Sequence, residues 1–139
     1  MITPDFNAYA FQARAYYANP LSSRSVRCMV EGMMTSIALE CAKEGATLIG
    51  HIKSVTEADG KGFLACSVVE PNGAVQTKGK MDEGITEIEV ILNVLLYGLR
   101  REKISEIVKW IAKKELGGSA ARLEIAELKE HSHSDMHHH

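Results

Sequence analysis

The residues best suited to chemistry are a histidine, a cysteine and three lysines in the middle of the chain. The alternation of side chains along short strands predicts that one sheet face carries His51, Lys53, Cys66, Lys78 and Lys80. Ammonium groups beside a thiol favour its thiolate form, so Cys66 is a candidate nucleophile with His51 as its partner. A packed, unreactive cysteine is the alternative interpretation. The same cations can hold a small anion, which makes Lys53, Lys78, Lys80 and His51 candidate ligand-binding residues.

A second group of potential ligands lies at the C-terminal end of the sequence. It contains five of the six histidines: His131, His133, His137, His138 and His139. Imidazoles on a flexible segment bind divalent transition metals with little selectivity. An expression tag is the alternative interpretation, so a metal cofactor is expected only if residues 131–139 are native. We expect this segment to be disordered.

Other searches of the sequence exclude several function classes. There is no dinucleotide or phosphate-loop motif, no HExxH and no GxSxG. The formal charge of −2 argues against nucleic-acid binding, which calls for a basic surface. No apolar run approaches the roughly 18 residues of a membrane span. Three cysteines without a CxxC pair do not form a disulfide framework, and this favours the reducing cytoplasm.

The composition predicts one folded domain over residues 1–130. A chain of 139 residues that is 45% hydrophobic has enough apolar side chains for a single core. We expect an α+β fold with N-terminal helices, a three-stranded antiparallel meander and C-terminal helices that cover one sheet face.

Two helices are predicted before the meander. Thr3-Pro4-Asp5 and Asn19-Pro20 are start and stop signals, and the intervening aromatic residues can form a helical stripe. Ser22 or Ser23 can cap a second helix that runs to about Glu44, with Gly45 as its stop.

The meander is predicted over residues 46–57, 63–70 and 74–81, with turns at Asp59-Gly60 and at residues 71–73. Pairing Ala58 with Lys61, and Glu70 with Ala74, sorts the side chains onto two faces. The face covered by helices is predicted to hold Leu48, Ile52, Phe63, Ala65, Val69, Val75 and Met81. The uncovered face is predicted to hold Ile49, His51, Lys53, Val55, Leu64, Cys66, Val68, Glu70, Gln76, Lys78 and Lys80.

The C-terminal third gives mixed signals. Thr86 and Glu89 match a capping box and predict a helix, although residues 86–94 are rich enough in β-branched side chains to form an extra strand. The apolar stripe changes phase after Leu99, so we expect either a break between Gly98 and Lys103 or a second apolar surface that contacts another subunit. Residues 121–128 alternate as an edge strand would, but most are also good helix formers.

These features predict a non-catalytic domain that acts as a homo-oligomer, in its simplest form a dimer. A face that mixes basic and apolar side chains is suited to a small anion or a partner. Two alternatives stay open at this point. One is a small enzyme that uses His51, Cys66, Lys53 and Lys78, and the other is a metal-handling accessory protein that acts through the histidine-rich tail.

Overall fold

The computed structural model describes residues 6–70 and 72–128, which form a six-stranded antiparallel sheet with two helices. The elements are β1 (Phe6–Leu21), α1 (Ser23–Lys43), β2 (Leu48–Ala58), β3 (Gly62–Val68), β4 (Gln76–Met81), β5 (Ile85–Tyr97), α2 (Arg101–Glu115) and β6 (Arg122–Leu128). The strands lie in the order β4-β3-β2-β5-β1-β6. The expected α+β class is present, but the expected arrangement of N-terminal helices followed by a sheet of three strands is wrong: the sheet has six strands, and the segments of the predicted meander form β2, β3 and β4 within it.

The first predicted helix is a long strand. Residues 6–21 form β1, which lies between β5 and β6, and residues 3–5 fall outside the described residues. Along β1 the odd-numbered side chains are buried, including Tyr9, Phe11, Ala13, Ala15 and Tyr17. Burial of every second side chain is the pattern of a strand. The apolar stripe predicted at helical spacing combines side chains from both faces of β1.

The second predicted helix is confirmed with both of its ends. α1 covers Ser23–Lys43, and the Ser22 hydroxyl accepts a hydrogen bond from the Ser25 N–H. Gly45 follows the helix with a φ of +121°. Local capping signals were sufficient here because they coincide with one continuous apolar stripe.

The register of the meander differs from the predicted one by one residue at each connection. Ala58 pairs with Gly62 rather than Lys61, and Ser67 pairs with Gln76, one residue away from the predicted alignment. Each one-residue shift reverses which side chains face the helices. The two shifts cancel for β4, so β3 alone is reversed. Its Leu64, Cys66 and Val68 lie under the helices, whereas Phe63 and Ala65 are on the uncovered face, with exposed Val69 directly after the strand.

The predicted helix over residues 86–99 is also wrong. This segment is β5, a central strand between β1 and β2, with Ile88, Val90, Leu92, Val94 and Leu96 buried. A central position in the sheet outweighs a local capping signal because every backbone group is bonded on both sides. The alternative strands at 86–94 and 121–128 are both present. The expected break is confirmed at Gly98, whose φ is +98°, before α2 begins.

The sheet has one face covered by helices and one face that is not. α1 lies against β2, β3 and β4, and α2 lies against β1 and α1. The core fills the space between these helices and the covered face. The other side, here called the open face, carries no helix or strand within the described residues.

Candidate functional site: the open face of the sheet

The open face is formed by alternate side chains of all six strands. Its central row runs from Lys78 through Ala65, Val55, Ile91 and Gln12 to Ala126. A neighbouring row runs from Lys80 through Phe63, Glu57, Glu89 and Arg14 to Glu124. The open face is therefore a continuous surface in which apolar side chains lie between charged ones.

Apolar exposure is concentrated on this side of the molecule. Of the seven large hydrophobic residues exposed within the described residues, Phe6, Val55, Phe63 and Ile91 are on the open face, and Val69 directly follows β3. The other two, Leu39 and Trp110, lie on the helices. Val55 and Ile91 are direct neighbours on the two central strands, so the middle of the face is apolar.

Charge is divided between the two halves of the open face. The half made by β4, β3 and β2 carries Lys53, Lys78 and Lys80 against one glutamate, Glu57. The half made by β5, β1 and β6 carries three glutamates against two arginines: Glu87, Glu89, Glu124, Arg14 and Arg122. One half is therefore net positive and the other is net negative.

Arg14 organises the acidic half. Its Nη1 lies 3.0 Å from Glu87 Oε2, and its Nη2 pairs with Glu89. Glu89 Oε2 also accepts a hydrogen bond of 2.7 Å from Gln12 Nε2. At the edge, Arg122 Nε lies 3.5 Å from Glu124 and its guanidinium stacks on Tyr16 at 4.1 Å. These contacts hold the charged side chains across the sheet.

The structure separates the residues of the predicted reactive pocket. His51 and Lys53 are on the open face of β2, and Lys78 and Lys80 are on that of β4. Because β3 lies between these strands, the two pairs of residues are about 10 Å apart across the sheet. Burial, with a smaller contribution from Lys53, lowers the pKa of His51.

Cys66 lies on the covered face and is buried, so the lysines do not flank it. Its Sγ is 3.5 Å from Thr77 Oγ1, and Thr77 in turn donates to Glu31 of α1. Burial is the main cause that raises the pKa of the Cys66 thiol, and this opposes thiolate formation. The geometry therefore gives Cys66 the role of a packed thiol.

The arginine cluster of the acidic half is not among the predicted site residues. Arg14, Glu87 and Glu89 meet only because β1 and β5 are neighbours, and both segments were predicted as helices. A strand alternation in residues 6–17 would have been the signal, since it places Gln12, Arg14 and Tyr16 on the side opposite Phe11 and Ala13.

Two further observations bear on ligands. Within residues 6–70 and 72–128, no three His, Cys, Asp or Glu side chains are grouped as metal ligands would be. The candidate metal ligands of the tail, His131, His133, His137, His138 and His139, lie outside the described residues.

Neither helix in the described part of the chain is long and apolar enough to cross a bilayer.

Comparisons with family models, with curated proteins and with solved structures find no match for this chain.

Proposed function

We propose that this chain is a non-catalytic domain that self-associates through the open face of its sheet. The observation that carries the proposal is the set of exposed Phe63, Val55 and Ile91 side chains on a face that no described element of the chain covers. Exposed apolar surface of this kind is unfavourable in water and is typical of interaction sites.

The size of the open face supports a second copy of the chain as its occupant. Six strands about 4.8 Å apart, overlapping over about seven residues of roughly 3.3 Å each, present roughly 600 Å² in projection. A stable interface buries about 800 Å² of accessible surface on each partner, and accessible area exceeds projected area. The face is thus large enough for a dimer in which two sheets pack together.

The charge distribution favours one arrangement of the two copies. A two-fold axis parallel to the strands, passing between β2 and β5, places β4 of one copy over β6 of the other. The net positive half of each face then meets the net negative half of its partner. Lys80 and Glu124, which end the same row, approach one another across the interface, and Val55 meets Ile91 at its centre.

The alternative two-fold axis, perpendicular to the strands, would place β4 over β4 and bring the lysines of the two copies together. Like charges in contact oppose association; the parallel axis leaves a contact of this kind, Glu57 opposite Glu89, whereas the perpendicular axis joins the two lysine-rich halves, so the parallel axis is favoured. The three free thiols match a reducing compartment, and we propose the cytoplasm as its location.

The proposal is tested by charge placed at the centre of the face. We expect Ile91→Lys to weaken self-association more than tenfold, because a central interface residue contributes about 2 kcal/mol or more. Light scattering coupled to size-exclusion chromatography measures the molar mass in solution, which falls from that of a dimer to that of one chain when association is lost. Leu39→Lys is the matched control, since Leu39 is also an exposed aliphatic residue but lies on α1.

The expected result is a dimer for the unchanged chain and for Leu39→Lys, and a monomer for Ile91→Lys. Equal masses for the two variants would overturn the open face as the interface.

A further inference from the structure

A cleft of about 400 Å³ lies on the other side of the sheet from the open face. Its walls are the first turns of α1 and the outer strands β3 and β4. The lining residues are Ser23, Arg24, Arg27, Cys28, Glu31, Leu64, Gly79, Lys80 and Met81. This volume is within the range of pockets that hold small organic ligands.

The charged side chains of the cleft favour an anion. Arg24 and Arg27 lie one turn apart on α1 and both line it, whereas Glu31 is its only lining carboxylate. Arg27 Nε is 3.0 Å from Glu31 Oε2, and Glu31 also accepts a hydrogen bond from Thr77. The lining residues Arg24, Arg27 and Lys80 outnumber the one engaged carboxylate, Glu31, so the cleft is net positive, and Arg24 makes no salt bridge within the described residues.

The end of α1 does not supply this attraction. Glu83 accepts hydrogen bonds from the backbone N–H and the hydroxyl of Ser23, at 3.1 Å and 2.6 Å. An acidic side chain of the chain itself thus occupies the first turn. Because that position is filled, an anion in the cleft would be held by cationic side chains rather than by the end of the helix.

The sheet side of the cleft includes apolar side chains. Leu64 of β3 and Met81 of β4 are both nearly fully buried and line it, and Gly79 contributes only backbone. Inorganic anions gain nothing from such a surface. A molecule that combines an oxyanion with an aliphatic or aromatic body satisfies both parts of the cleft.

We propose that this cleft binds a small organic acid, with its carboxylate at Arg24 and Arg27 and its apolar body on Leu64 and Met81. The cleft and the open face share one residue, Lys80, which lines the cleft although its register position is on the open face; the other lining residues lie on the covered side of the sheet, away from the proposed dimer contacts. Cys28 lines the same cleft and has an exposed thiol, whereas Cys41 and Cys66 are buried. Its alkylation by uncharged iodoacetamide therefore reports occupancy.

The experiment uses the full chain and octanoate as the probe. Octanoate is expected to slow alkylation of Cys28 several-fold in a saturable manner. Octanol, which lacks the charge, and inorganic phosphate, which lacks the apolar body, are expected to have little effect. Isothermal titration calorimetry with octanoate gives a second readout that does not depend on the thiol.

Arg24→Ala removes one cation from an exposed position and is expected to lose most of the protection and most of the heat of binding. Arg122→Ala is the matched control, an exposed arginine at the opposite edge of the sheet. Ile91→Lys, which is monomeric under the proposed function, is expected to keep the protection. No binding of octanoate, equal protection by octanol, or an unchanged response in Arg24→Ala would each overturn the organic-acid site.

Discussion

At the scale of single residues, the covered side of the sheet holds ionisable groups in apolar surroundings. Burial raises the pKa of the Cys41 thiol from 9.0 to about 12 and that of the Tyr17 hydroxyl from 10.0 to about 12. Both groups are neutral in the folded protein at ordinary pH. Their effect on stability is therefore confined to alkaline solution.

Cys41 makes the folded state less stable as the pH rises. Above pH 9.0 the unfolded chain loses the thiol proton while the folded chain keeps it until about pH 12, so unfolding becomes more favourable across this window. Urea unfolding under reducing conditions measures the effect. The stability advantage of the unchanged chain over Cys41→Ala is expected to narrow as pH rises from neutrality into this window. Parallel pH profiles for the two proteins would contradict a raised Cys41 pKa.

Tyr17 ties β1 to the end of α2. Its hydroxyl donates a buried hydrogen bond of 2.8 Å to the Leu116 carbonyl. Tyr17→Phe leaves that carbonyl without this donor and is expected to cost about 1–2 kcal/mol of unfolding free energy. Tyr16→Phe is the control, because Tyr16 is on the open face and its hydroxyl makes no hydrogen bond within the described residues. Equal unfolding free energies for the two variants would argue against this role.

At the scale of elements, the ends of one helix and a chain break, which depend on short stretches of sequence, were predicted correctly. α1, with Ser22 as its cap and Gly45 as its stop, and the break at Gly98 were predictable because each depends on neighbouring residues. β1 and β5 were not, since their strand form depends on pairing partners about 75 residues away. The Thr86–Glu89 pattern is a valid capping box in isolation, but the sheet uses those residues otherwise.

The candidate site was predictable only in part. His51, Lys53, Lys78 and Lys80 are on the uncovered face as expected, because the two register errors cancel for β4. Cys66 is on the covered face instead, because one additional residue in the loop between β2 and β3 reverses the side-chain orientation of β3. Turn length sets side-chain orientation, and Asp59-Gly60 is compatible with loops of either two or three residues.

The β3–β4 pair depends on a glycine. Gly79 has a φ of +94°, and a Cβ there would lie 2.5 Å from the Phe63 carbonyl oxygen. Gly84 also has a positive φ, +76°, but nothing lies within 4 Å of its Cβ position. We expect Gly84→Ala to cost about 1 kcal/mol for its conformation alone. Gly79→Ala is expected to cost about 3 kcal/mol, because backbone strain and a steric clash act together. Chemical denaturation measures the unfolding free energies of the two variants. Similar losses of stability would exclude the close approach of β4 at Gly79 to the Phe63 carbonyl.

At the scale of the whole molecule, the two sides of the sheet differ in how they are completed. The covered side buries its apolar residues under α1 and α2, and the open face presents comparable residues between two oppositely charged halves. A second copy of the chain completes this face when its positive half meets the partner's negative half. The proposed arrangement makes Lys80 and Glu124 opposing residues across the interface.

A charge exchange tests this arrangement. Lys80→Glu is expected to weaken the dimer, since the two-fold axis brings two like-charged pairs together, one at each end of the interface. The double variant Lys80→Glu/Glu124→Lys is expected to restore it. Lys113→Glu on the exposed side of α2 is the control for an equal change in net charge. If the unchanged chain is a dimer but the double variant is no more strongly associated than Lys80→Glu, the proposed orientation is wrong. The open face would still stand as the interface.

Sedimentation equilibrium over a range of micromolar concentrations shows whether a second copy of the chain covers the open face. We expect a mass of twice the 15.3 kDa of one chain, which falls towards that of one chain on dilution. A mass of 15.3 kDa at every concentration would contradict it.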